Sequence, residues 1–403
     1  MNRAAACPLL ACSALMLMTA CLARAAGEER RSVTPVKFTV KLEAVHSGFD
    51  RKMCWVHARA GVIPGPRPAV VMTMQKLLLS GSDVFYALHE MRSDDLGRTW
   101  SEPRRHETLK RRRNDEIEIG ICDFTPKWHA KTSKLLGTGQ NVHYRNNRVM
   151  GYRHRQVAYS VYDEKARTWS RWRTMEMPDN VKFFNAGAGS TQRIDLPDGD
   201  ILLPIYYKSD SKTERCYSAT VARCRFDGRT LSYVEHGSEL KLDVPRGFAE
   251  PSLARFGGRY FLTLRNDKAG WVTSGSDGLH FDEPVRWRFD DGKELGNYNT
   301  QQHWATHPKG LFLIYTRRGA GNDHVFRHRA PLFIAQVDPA RLRVIRRTER
   351  ILVPQRGARL GNFGVVRVND SETWVTVTEW MQPRGCEKHG SDNSVYVARI
   401  IWE

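Results

Sequence analysis

Apolar and polar residues alternate along much of this chain with a period of two, the spacing of a strand that buries one face. Residues 36–42 show the pattern first, and from Pro68 onward short runs of this kind recur between turns and polar loops. Val70-Val71-Met72-Thr73-Met74 is followed by Val84-Phe85-Tyr86-Ala87-Leu88. Further on, Ile201-Leu202-Leu203-Pro204-Ile205-Tyr206-Tyr207 follows a Pro197-Asp198-Gly199-Asp200 turn, and Tyr260-Phe261-Leu262-Thr263-Leu264 follows Gly257-Gly258. Leu311-Phe312-Leu313-Ile314-Tyr315 and Trp374-Val375-Thr376-Val377-Thr378 extend the series. The recurring unit is strand, turn, strand, polar loop, third strand and closing turn, with starts near Ala69, Asp123, Ser190, Glu250, His303 and Phe363. No long amphipathic helical pattern competes with it.

A period of roughly 50 to 65 residues, with about four short strands in each unit, indicates sheets packed radially around a channel, because one such sheet cannot bury both faces alone. The expected architecture is all-β, a six-bladed β-propeller of about four strands per antiparallel blade. The early strand at 36–42 is expected to complete the last blade as a closing clasp. A β-sandwich would explain the strands but not the recurring turns.

The closing turn is fullest at Ser93-Asp94-Asp95-Leu96-Gly97-Arg98-Thr99-Trp100. An Asp carboxylate can accept turn amides, a glycine permits positive φ, and the Trp can fold back over apolar surface. A worn copy, Glu164-Lys165-Ala166-Arg167-Thr168-Trp169, has alanine for glycine, and Ser274-Gly275-Ser276-Asp277-Gly278-Leu279-His280-Phe281 is a third. Trp100, Trp169 and Phe281 read as packing residues. The spacing resembles the Asp box of sialidases and related β-propellers, which marks an architecture and not a chemistry.

Composition adds an address and a charge. Arg3, the apolar run 4–20 and Ala23-Arg24-Ala25 read as a secretory signal over residues 1–25, so the expectation is an exported protein, periplasmic or extracellular, with one propeller domain over 33–403. Met18-Thr19-Ala20-Cys21 loosely matches a lipobox, which makes a lipid anchor on Cys21 the second reading; a membrane span is not expected. Of eight cysteines, five lie beyond the signal, with no metal-ligand spacing, and Cys216 and Cys224 read as packed thiols. The formal net charge of +19 favours a polyanionic partner, and export points to acidic carbohydrate and away from nucleic acid. The Lys110-Arg111-Arg112-Arg113 run reads as a solvated loop.

Candidate chemistry comes from residues that the repeat places at equivalent, convergent positions: Arg59, Asp83, Gln192, Glu250, Arg265, and Arg327 or Arg329. Convergent arginines can hold a carboxylate through planar, charge-assisted hydrogen bonds. The resemblance to the sialidase superfamily extends over most of the mature chain. The segment from Ala188-Gly189-Ser190-Thr191-Gln192 to Leu203-Pro204 resembles the family's third blade. Glu250-Pro251-Ser252-Leu253 through Leu264-Arg265-Asn266 is similar to the segment supplying its glutamate and second triad arginine, and Arg329-Ala330-Pro331-Leu332 to the approach to the third. Arg59 takes the place of the first, with Arg67 as a weaker candidate. The resemblance implies Arg59, Arg265 and Arg329 as carboxylate ligands, Asp83 as acid and base, and Glu250 as the partner of a nucleophile, in a retaining glycosidase whose nucleophile is a tyrosine. That tyrosine is absent here: Asn362 and Phe363 occupy its place in Leu360-Gly361-Asn362-Phe363-Gly364, and Tyr144, Tyr298 and Tyr315 are the alternatives considered.

His143, His303, His307, His324 and His328 suggest a different chemistry, β-elimination from a uronate, by analogy with propeller polysaccharide lyases and rhamnosidases. For any single histidine, a strand cap or loop lining is the simpler expectation. Asn322-Asp323-His324 lacks partner ligands for a metal, and no cofactor is implied. The leading expectation is a sialidase-like glycoside hydrolase on an acidic glycan, an exo-α-sialidase being its sharpest form; a lyase or rhamnosidase and a noncatalytic glycan-binding propeller are the alternatives.

Overall fold

The computed structural model describes Met1 and residues 33–403, so the signal segment and Cys21 lie outside the described residues. A compact unit spans Val36–Glu403; of the separate unit Met1–Pro35, only Met1 and 33–35 are described, without regular structure. Among the described residues there is no helix long and apolar enough to cross a membrane.

The expected all-β propeller is what the chain forms. Its strands group into six hydrogen-bonded sheets. The first runs outward as Met53–Ile63, Ala69–Leu78, Phe85–Ser93 and Arg104–Arg105, and the fourth as Ala249–Phe256, Arg259–Arg265, Gly270–Gly275 and Val285–Arg286. Three sheets have the four strands expected; the others have six or seven, because short strands such as Arg112–Asn114 and Arg148–Val149 pair at their margins. The last sheet is completed from the far end of the sequence: Phe38–His46 pairs antiparallel with Val395–Trp402, beyond Glu372–Thr378 and Gly364–Arg367. Inner strands touch in chain order, and Met53–Ile63 meets both Ile117–His129 and Gly364–Arg367, so the sheets ring one axis.

The apolar core is accordingly divided between neighbouring sheets. Phe312, Phe363, Val377 and Trp402 pack with the clasp residue Phe38 in one cluster, and Val157, Tyr159, Ile201 and Ile205 in another. The five cysteines of the described residues are free, and the Cys224 Sγ packs 3.7 Å from the Met175 Sδ.

The turn at 93–100 is held by its own side chains. Ser93 Oγ donates to Asp95 Oδ1 at 2.8 Å and accepts from the Gly97 amide at 2.7 Å, while Asp95 accepts from the Thr99 amide and hydroxyl. Those bonds, the Thr99 hydroxyl first, hold the Asp95 carboxyl down to about 2. The basic run after Leu109 is solvated only in part: Lys110 and Arg113 are exposed, but Arg111 and Arg112 are not. The Arg111 guanidinium stacks 3.9 Å from the Tyr144 ring centroid and donates to Phe85 O, and that of Arg112 lies 3.6 Å over Trp172, as cation–π contacts.

Candidate active site

The inner strands converge on one end of the axis through a shared backbone device. Register shifts fall between Val56 and Arg59, between Cys122 and Thr125, and between Ala249 and Ser252, and in each gap one residue takes positive φ: His57 (60°), Asp123 (53°) and Glu250 (46°). Such a bulge inserts an extra residue and re-aims its side chain. Ser190 (56°) and Asn299 (57°) adopt the same conformation in the third and fifth parts of the ring.

These residues meet. His57 Nε2 lies 3.3 Å from Asp123 Oδ1, Asp123 accepts from Ser190 Oγ at 2.8 Å and from Gln140 Nε2 at 3.0 Å, and Asn362 Nδ2 approaches His57 Nε2 at 3.5 Å. Glu250 pairs with Arg265 Nη1. Arg265 and Arg329 both donate to Asn299 Oδ1, at 3.3 and 3.1 Å, and Arg329 also reaches Asn299 O and, at 3.2 Å, Asn362 Oδ1.

They border a cavity of about 840 Å³. Its wall includes eight arginines, Arg153, Arg155, Arg246, Arg265, Arg327, Arg329, Arg359 and Arg384, and four carboxylates, Asp83, Asp123, Glu250 and Asp267. Burial, reinforced by Arg265 and Arg359, pushes Arg329 well below the usual guanidinium range, and burial brings Arg359 down to about 10. Burial opposes the charge of Arg265 as well, but Glu250 and Asp267 outweigh it and raise its pKa. Desolvation would raise Asp123, yet the charges of His57 and Arg59 and the bonds from Ser190 and Gln140 hold it below the carboxylate range. His57 is pushed down to about 4, chiefly by burial, with Asp123 pulling the other way. The arrangement is a polar cup with excess positive charge, fitted to an anionic ligand.

Of the residues singled out in the sequence, Asp83, Glu250, Arg265, Arg327 and Arg329 line this cup. Asp83 is exposed at its mouth, with Ser82 Oγ 3.5 Å away and no turn amide bonded to its carboxylate. Between Arg327 and Arg329 the chain turns: Arg327 (φ 60°) and His328 (φ 52°) form a short turn, which leaves Arg327 exposed and Arg329 only 4% exposed. Arg59 lies beneath the cup and not on its wall. Fully buried, it donates to Ser190 Oγ at 2.7 Å and Gln301 Oε1 at 3.0 Å and lies 3.5 Å from Asp123. Gln192 belongs elsewhere, bonded to the backbone of Trp304 in a separate cavity with Val62, Thr125 and Val365, farther along the same inner strands.

None of Tyr144, Tyr298 and Tyr315 borders the cup; Tyr206 and Tyr217 do. Phe363 is buried in the core. The histidines grouped in the sequence also lie away from it: His303 is buried against Ser252 and Gln301, His307 stacks on Trp402, His324 faces Gln355 and His328 binds Tyr298. His57 was not singled out from the sequence, and neither was Asp123 as a site residue. The signal available for Asp123 was its place at a unit start, shared with Ser190 and Glu250.

No family model matches the chain, and no curated protein matches it in sequence. Solved structures do match in shape. A protein of unknown function from Dyadobacter fermentans superposes with a TM-score of 0.63 at 12% identity, covering 90% of this chain and 99% of that one. Hadza microbial sialidase Hz136 gives 0.59 at 12% identity over 86% of this chain, and Trypanosoma rangeli sialidase in complex with sialic acid gives 0.57 at 12% over 92%. The matched regions are 65% and 59% of those two sialidases' own lengths. At such identities the likeness establishes a sialidase-like propeller fold.

Proposed function

We propose that this chain is an exported, sialidase-like glycoside hydrolase acting on an acidic glycan, with sialic acid or another carboxylated sugar in the cup. The observation that supports this most is the convergence of Arg265 and Arg329 on Asn299 beside Glu250, in a cavity where arginines outnumber carboxylates two to one. In this reading Arg265 and Arg329 grip the sugar carboxylate, replacing their shared amide oxygen with a charged acceptor. Arg59 acts from below as a positioning residue, fixing Ser190, Gln301 and Asp123. Asp83, exposed and without an ion pair among the described residues, gives a proton to the leaving oxygen. Glu250 polarises the attacking group. Asn362 cannot attack an anomeric carbon and is bonded to Arg329, so water is the nucleophile of choice, with Tyr206 and Tyr217 on the same wall. A neutral nucleophile spares an anionic substrate the approach of a carboxylate. Export rests on residues 1–25, with a lipid on Cys21 as the variant form.

The test is a panel of acidic glycans scored for released reducing sugar. Asp83→Asn should lower turnover by on the order of 10²- to 10⁴-fold while shifting the melting temperature by no more than about 2 °C, since it removes an exposed charge with no ion pair. Normal turnover in that variant sinks the assignment of the acid.

A second reading has its own observation. His57, the histidine of the cup, is kept neutral and lies beside Asp123, so it could remove a proton next to a carboxylate neutralised by the arginines. Ultraviolet absorbance of an unsaturated uronate, in place of a saturated reducing sugar, would identify that elimination. Binding without either product would leave a glycan-binding propeller.

A further inference from the structure

Five of the cup's eight arginines form two groups from opposite parts of the ring, and Arg246 and Arg265 come from the third and fourth sheets between them. Arg327 and Arg329 lie between Gly310–Tyr315 and Leu332–Asp338 of the fifth sheet, and Arg359 precedes Gly364–Arg367 of the sixth. Arg153 and Arg155 lie between Arg148–Val149 and Val157–Asp163 of the second sheet, against Tyr206 and Tyr217 of the third. Since the inner strands touch in chain order, the junction of the second and third sheets faces the junction of the fifth and sixth across the axis.

Neither group is neutralised from within. Among the described residues, Arg246 and Arg265 are the cup arginines that form ion pairs, sharing Asp267; no such pair is made by Arg153, Arg155, Arg327, Arg329, Arg359 or Arg384. Arg155 is 3% exposed, stacked 4.2 Å from the Tyr206 ring and 4.9 Å from that of Tyr217, and its Nε has no hydrogen-bond partner. The Nε atoms of Arg153, Arg329 and Arg359 are likewise buried without partners. Arg153 is lowered by burial and then by Arg155, and Arg329 by burial and then by Arg265 and Arg359, whereas at Arg155 burial is outweighed by the Tyr206 and Tyr217 rings, which raise its pKa. Gly187 lets Gln140 and Arg155 pack against its backbone, for a Cβ there would stand 2.4 Å from Gln140 Oε1 and 3.2 Å from Arg155 Nε. One carboxylate has two oxygens set close together, and it cannot serve guanidiniums on opposite walls of a cavity of about 840 Å³.

We propose that the ligand carries two anionic groups, a sugar carboxylate at Arg265 and Arg329 and a second anion, a sulfate ester or a further uronate carboxylate, at Arg153 and Arg155 beside Tyr217. This rests on the acidic-glycan reading and narrows its substrate class. Buried charge-assisted hydrogen bonds make the second anion worth about tenfold or more in affinity.

Two chondroitin-type disaccharides, one unsulfated and one bearing a single sulfate, are titrated calorimetrically into the full chain. The sulfated probe is expected to bind about tenfold more tightly. That ratio should fall toward one in Arg155→Gln and in the less buried Arg153→Ala, while Arg265→Ala weakens both probes by the same factor and preserves it. Melting curves confirm that each variant is folded, and two substitutions guard against the loss of one. Equal affinity of the two probes for the wild-type chain, or an unchanged ratio in both second-site variants, overturns the second anion but leaves the first site standing. Failure of both probes to bind the wild-type chain overturns the two-anion proposal and, with it, a uronate at Arg265 and Arg329.

Discussion

Four histidines are held neutral inside this fold. His57, His89 and His143 are brought down to about 4 and His303 to about 3, burial being the largest cause in each. In the unfolded chain each returns to its ordinary value near 6.5, so between the two values the unfolded state binds more protons. Their contribution is therefore complete above about pH 6.5 and is lost as the pH falls through the folded values. Asp123 acts in the same direction at lower pH, since the contribution of a depressed carboxylate is complete above its unfolded value of about 3.9 and is lost as the pH falls from there toward the folded one. The melting temperature should drop on going from about pH 7 to about pH 5, before carboxylates titrate; a flat profile over that interval would show that the protonated rings are accommodated. The sequence made part of the cup legible at this scale. Of the residues singled out, Glu250 lines it from a first strand, Arg265 from the end of a second, and Asp83, Arg327 and Arg329 from between second and third strands. Arg153 and Arg155 reach the same wall from the corresponding place in the second sheet, and Tyr206 and Tyr217 from the second and third strands of the third, with no motif in the sequence to mark any of the four.

The β-bulge is the element that period-two reading misses. His57 and Arg59 are two residues apart in Met53–Ile63, which puts both on one face of a regular strand. The extra residue at His57 changes the phase, so His57 borders the cup while Arg59 passes beneath it. The strand itself carries no alternation to mark it, since it is buried on both faces from Cys54 to Ile63, and the repeat read from the sequence starts only at Pro68. The turn at 93–100 was read more fully, because its chemistry is local: a serine, a carboxylate and a glycine within a few residues. Gly97 has φ 79°, and a Cβ on it would lie 2.6 Å from Arg399 Nη2 and 2.8 Å from Trp374 Cη2. Gly97→Ala should accordingly destabilise the chain by about 1 to 3 kcal/mol, from strain together with displacement of the packed Trp374. A urea midpoint equal to that of the wild type would show that the turn relaxes without loss.

For the molecule as a whole, the excess of positive charge in the sequence and the arginine-rich cup point the same way. Affinity for an acidic disaccharide should fall between about 0.05 and 0.5 M salt, yet retain a part set by the buried arginines, because screening acts most on exposed charge. Salt-independent binding would assign recognition to shape and stacking. The architecture was legible because strand, turn and polar loop recur through the chain, and recurrence is a property of sequence; the variable margins of the sheets were not, since strands of two or three residues follow tertiary contacts more than their own pattern. One feature of the ring also bears on how it is made. Phe38–His46 and Val395–Trp402 come from opposite ends of the described chain, so the ring is shut by their hydrogen bonds and by the Phe38 contacts, with no covalent link across that seam. During synthesis the earlier strand must wait, unpaired, for almost the whole polypeptide to appear. Assembly of the cup therefore depends on a late event, and the nascent chain needs protection at an open sheet edge until then.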